Sequence, residues 1–80
     1  MASTTHTLDT TYVQISDGSA TIQKKTKGYG AVMIFFGSAV PGDDTNSFLL
    51  DTNVASFYET SETIYARTPH DVPVEIVVGS

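Results

Sequence analysis

An 80-residue chain with nine acids, four bases and no cysteine has few ways to become stable. Disulfide staples and thiolate metal sites are excluded, so good packing or association must supply what a small core lacks. A net charge of −5 argues against nonspecific nucleic-acid binding, which needs many Lys and Arg against phosphate, and against an anionic membrane surface.

The length fits a single domain over residues 1–80, with residues 1–4 as a flexible N-terminal arm. The segment Met1–His6 has neither a basic cluster nor an apolar stretch, so it is no signal peptide, and synthesis in a cytoplasm is the default. No run approaches the roughly 20 apolar residues of a membrane span. No stretch keeps helical spacing for three turns, and Ser and Thr supply 20 of the 80 residues, a composition that suits pleated surfaces.

Strands are predicted at Thr5–Thr10, Tyr12–Ser16, Ala20–Lys25, Gly30–Gly37, Ser47–Leu50, Ala55–Glu59, Glu62–Thr68 and Pro73–Val78. Asp17-Gly18, Pro41-Gly42-Asp43-Asp44, Asp51-Thr52-Asn53 and Pro69-His70-Asp71 separate them as turns. About eight short strands without a helix predict an all-β fold, a small two-sheet sandwich of jelly-roll-like or Greek-key type. Alternation pairs Val13 with Ile15, Ala20 with Ile22, Phe48 with Leu50, and Ile64 with Ala66 as core positions. Val74, Ile76 and Val78 share one face of the last strand.

The run Ala31-Val32-Met33-Ile34-Phe35-Phe36 is apolar on both faces. One face should close the core. The other, assigned to Val32, Ile34 and Phe36, is expected at a subunit contact, giving a homo-oligomer (dimer or trimer). Interface positions are also expected at Tyr29, Tyr58 and Tyr65, whose rings join an apolar body to a polar tip, and at Lys24, Lys25 and Lys27, the only basic cluster. Arg67, the sole arginine, should face solvent or an interface, or make a cross-strand ion pair with Glu59 or Glu75.

Little here points to catalysis. No Gly-x-Ser-x-Gly elbow surrounds Ser38. His70 and Asp71 are adjacent and would point apart on a strand. His6 and His70 with an Asp would need to converge to hold a metal. Asp43, Asp44, Asn46 and Asp51 gather carboxylates in one loop region, but without the spacing of a calcium loop. No enzyme activity, cofactor or metal is expected, and whether the acidic loop 43–51 takes a cation is left open.

Two stretches carry a resemblance. Ile34-Phe35-Phe36-Gly37-Ser38-Ala39-Val40-Pro41-Gly42-Asp43-Asp44 reads as strand, Gly-Ser, Pro and acidic turn. Glu62-Thr63-Ile64-Tyr65-Ala66-Arg67 then leads to the valine-rich Val74-Glu75-Ile76-Val77-Val78. This pattern resembles the small all-β accessory proteins of tailed-bacteriophage virions, over roughly residues 30–78. The resemblance implies a capsid decoration or cement protein, made in the bacterial host cytoplasm and placed on the capsid surface. Its partner would be the major capsid protein or another virion protein. The alternative is a receptor- or carbohydrate-binding module on a tail or fibre, with Tyr29, Tyr58 and Tyr65 over a shallow groove.

Overall fold

The computed structural model describes residues 3–25, 31–50, 54–69 and 73–79. Eight strands form, and no helix occurs among the described residues. They are β1 (Ser3–Leu8), β2 (Val13–Ser16), β3 (Ala20–Lys24), β4 (Val32–Gly37), β5 (Phe48–Leu50), β6 (Ser56–Tyr58), β7 (Thr63–Arg67) and β8 (Val74–Gly79). Each expected strand is present with modest shifts at its ends. The arm expected over residues 1–4 is overturned at Ser3 and Thr4, which pair with Gly79 and Val78, and residues 1 and 2 lie outside the described residues.

The strands build two antiparallel sheets, ordered β1-β8-β3-β6 and β2-β7-β4-β5. The pairs β1–β8, β2–β7, β3–β6 and β4–β5 are the rungs of one long hairpin folded about the β4–β5 connection. The pairings β3–β8 and β4–β7 roll that hairpin into two layers. This connectivity is the eight-stranded jelly roll. The molecule is 16 Å across its thinnest direction, room for two sheets about 10 Å apart with one shared layer of side chains.

That layer follows from register. Cross-strand partners share a face, so Ile34 beside Ala66, Ile22 beside Val78, and Leu8 beside Val74 all turn inward. All six are fully buried or nearly so. Alternation in β8 sends Val74, Ile76 and Val78 into the core and leaves Glu75 and Val77 on the outer face. Burying each such aliphatic side chain is worth about 1.5–3 kcal/mol.

Two core expectations shift. The β2–β7 register breaks between Gln14 and Ser16. A bulge sets an extra residue against its partner strand and re-aims the side chains. Ile15 and Ser16 are therefore both buried, while Val13 stays exposed. Phe48 turns toward the core side opposite Ile34, yet remains exposed because β5 is an edge strand with no outer neighbour.

The subunit contact expected at Val32 and Ile34 is overturned. Both are 0% exposed within a single chain, because they share the inner face of their sheet with Leu50 and Ala66 and belong to the core between the two sheets. Phe36 packs against the same core. The opposite face of β4 carries Met33 and Phe35, half-buried beside Leu49, Arg67 and Tyr65. The 38–47 connection leaves β4 at Gly37, opposite Thr63, yet Asp44 meets Arg67 at the far end of β7. The connection thus doubles back far enough for Asp44 to reach the Arg67 side chain. A Cβ at Gly37 would stand 2.5 Å from Phe35 Cε2, so glycine there lets the Phe35 ring lie along its own strand.

Candidate binding surface

Both sheets end on one side in a three-residue edge strand, β5 in one and β6 in the other. Phe36 reaches this margin from β4 and holds it together. Its ring lies 5.6 Å from Phe48 of β5 and 5.7 Å from Tyr58 of β6, tilted in both cases. Such tilted pairs are favourable beyond their area. Around this clasp the side chains become apolar and wet. Phe48 and Leu49 are each 59% exposed, Val54 68% and Phe57 64%. Leu49 shares the outer face of one sheet with Met33, and Phe57 that of the other with Thr21. Single exposed apolar residues need no explanation, but several along one margin mark a contact surface.

A second cluster sits on the outer face of the β2-β7-β4-β5 sheet. Arg67 extends from β7 and grips Asp44 of the 38–47 connection with two nitrogens, Nε at 3.0 Å from Oδ1 and Nη2 on Oδ2. Its third nitrogen donates to the Thr68 carbonyl at 3.2 Å and the Thr10 carbonyl at 3.4 Å. The guanidinium also lies 5.4 Å from the Tyr12 ring centroid, a cation–π distance. The Tyr12 hydroxyl donates to Asp44 Oδ1 and contacts Ser47 Oγ at 2.5 Å. The pair is partly buried, with side chains 20% and 30% exposed. The Arg67 fork, and then the Tyr12 hydroxyl, hold the Asp44 carboxyl below the usual carboxylate range. Burial, and then the Asp44 carboxylate, push the Tyr12 hydroxyl above the usual phenol value. This cluster staples the connection to the sheet.

A carboxyl whose folded value is lowered stabilises the fold above its unfolded value. That contribution is lost as pH falls from there through the folded value. Asp44→Asn should therefore cost about 1–2 kcal/mol at neutral pH. The difference from the parent should shrink below about pH 4, near the ordinary Asp value. Urea midpoints at neutral and acid pH measure it; a difference that does not narrow in acid would contradict the assignment.

The remaining expected positions scatter. Tyr58 is half-buried on Phe36. Tyr65 is 8% exposed on the outer face of β7, beside Phe35 and Gln14. Tyr58 and Tyr65 thus belong to different sheets and line no common groove. Lys24 is a further correction: it is 2% exposed, because the alternation that turns Ala20 and Ile22 inward turns Lys24 inward too, opposite Ile76. Its aliphatic stem suits that place. Lys25 is exposed, 4.0 Å from Glu75. Arg67 takes Asp44 rather than Glu59 or Glu75, and is committed within the chain. Tyr29 and Lys27 lie outside the described residues, as do His70, Asp71 and Asp51.

His6 faces inward opposite Ile76, and its buried Nε2 has no hydrogen-bond partner among the described residues. No group of three His, Asp or Glu among the described residues is placed to hold a metal. Asp43 Oδ1 accepts the Thr45 N–H at 3.0 Å, and Asp44 is occupied by Arg67 and Tyr12. Asp43 and Asp44, the described carboxylates of the acidic stretch, are thus engaged in hydrogen bonds within the chain. Sequence reasoning missed both the Phe36 clasp and the Arg67 staple. The only signal for the staple was a lone arginine in a chain with an acidic turn.

Comparison with protein-family models, with curated proteins and with solved structures finds no match.

Proposed function

We propose that the protein acts by binding rather than catalysis, as a virion accessory module that decorates a capsid by seating its β5–β6 margin on a capsid subunit. The observation that carries this reading is the exposed apolar set Phe48, Leu49, Val54 and Phe57 on and beside the two short edge strands β5 and β6. Apolar aromatic anchors of this kind dominate binding energy at protein interfaces. Phe48, Leu49 and Phe57 stand on the strands that Phe36 braces, so little ordering is needed on contact. Many symmetry-related copies on a capsid would multiply a modest single contact.

Two lines of analogy give the partner. The strand and turn pattern resembles phage accessory proteins, as set out above, and jelly rolls are frequent in capsid and lectin domains. Fold analogy alone does not assign function. The lectin-like alternative on a tail or fibre loses its expected aromatic groove, since Tyr58 and Tyr65 lie in different sheets.

The test is addition of purified protein to phage particles lacking their decoration. The parent should bind and raise the temperature at which the particles open. A Leu49→Asp/Phe57→Asp double variant should fold normally and bind at least about tenfold more weakly. Equal binding by both, or binding to glycans with none to capsids, would sink the capsid reading.

A further inference from the structure

Four edge strands border the two sheets: β1 and β6 in one, β2 and β5 in the other. An open edge is a template for another strand, and proteins blunt edges by shortness, bulges, charge or proline. Three edges here are blunted. The strands β5 and β6 have three residues each, and β2 has four residues interrupted by a register shift. The fourth is not. β1 runs six residues and pairs with β8 without a break from Ser3 to Leu8. Its sequence Ser-Thr-Thr-His-Thr-Leu contains no Asp, Glu, Lys, Arg, Pro or Gly.

We propose that this edge pairs with the β1 edge of a second copy of the chain, antiparallel and centred on Thr5. The two four-stranded sheets would then join into one continuous sheet across a two-fold axis, a closed and self-complementary arrangement. The chemistry of the edge favours a copy of itself. With a net charge of −5, two copies repel over most of their surfaces. Along β1 they meet without a carboxylate. Centring on Thr5 sets Thr5 against the partner's Thr5, Ser3 against the partner's Thr7, and Thr4 against the partner's His6. Thr–Thr and Thr–Ser pairs stabilise antiparallel strands, and no like charges stand opposed. Among the described residues β1 has β8 on one side and no strand on the other, so this edge is open to receive the strand. The contact replaces the one expected at Val32 and Ile34, and it stands independently of the capsid reading, which rests on the opposite margin.

Mass by sedimentation or light scattering from about 1 μM to about 1 mM tests it, with three variants. The parent should move from 8.6 kDa to twice that mass as concentration rises. Thr5→Lys puts two like charges face to face on the axis and should weaken association at least about tenfold. Phe57→Lys, on the far margin, should leave it unchanged. Thr5→Cys introduces the sole cysteine, and directly opposed strand positions lie close enough for a disulfide. Mild oxidation should give a covalent dimer, which decides the matter even where Thr5→Lys folds poorly. The proposal is overturned by a parent that stays monomeric while Thr5→Cys fails to cross-link. It is equally overturned if Phe57→Lys, and not Thr5→Lys, abolishes the dimer.

Discussion

Ile34→Ala should destabilise the fold by about 3 kcal/mol, within the range of about 2–5 kcal/mol found for such core truncations. Ile34 has no exposed surface. It stands on an interior strand of its sheet, between Ala66 of β7 and Phe48 of β5. Neither neighbour readily refills the space: alanine is too small, and Phe48 is engaged with the Phe36 ring. The residual cavity therefore adds to the lost transfer energy. In a domain of this size each kcal/mol moves the melting temperature by about 4–8 °C, so a fall of about 12–24 °C is expected. Urea unfolding should show a lower midpoint at an unchanged slope. A loss under about 1 kcal/mol would mean that the inter-sheet layer is not closed at Ile34.

Phe36→Ala should cost about 2–4 kcal/mol, and its damage should be local. The ring contacts both edge strands of the apolar margin, Phe48 on β5 and Tyr58 on β6. Both strands are three residues long and have a neighbour on one side only. Removing the clasp should raise amide exchange in β5 and β6 well before β8, whose two neighbours remain. Phe36→Leu should recover part of the loss by filling some of the volume. Uniform acceleration of exchange across both sheets would show that Phe36 acts only as bulk in the core.

Much of the fold is legible in the sequence because strand periodicity is a local property. Val74, Ile76 and Val78 announce their face by spacing alone. So does Lys24, had alternation been followed through from Ala20 and Ile22 against the habit of placing lysine outside. The reading of β4 failed for a different reason. Two apolar faces imply two covers, but spacing cannot say whether a cover comes from another chain or from the same one. Here one cover is the opposite sheet. The other face is left half-buried at Met33 and Phe35, on the sheet to which the protein's own β4–β5 connection is fastened by Arg67 to Asp44. That fastening joins positions remote in sequence and needs a bend no local pattern encodes. The bulge at Gln14–Ser16 was hidden similarly, since Val-Gln-Ile-Ser alternates well enough to pass for a plain strand.

The pairing of β1 with β8 has a consequence in time. Of the eight strands, the earliest made is held in its sheet by the latest made. While the chain is being synthesised, β1 has no partner, and Leu8 has no Val74 to lie against. Closing so long a loop is costly in entropy before it is rewarded by contacts, and topologies dominated by such pairings fold slowly, in milliseconds to seconds. Hairpin contacts around β4 and β5 should form early, with β1 docking near the end. The strand whose outer edge stays open in the finished fold is also the one that waits longest for its first neighbour.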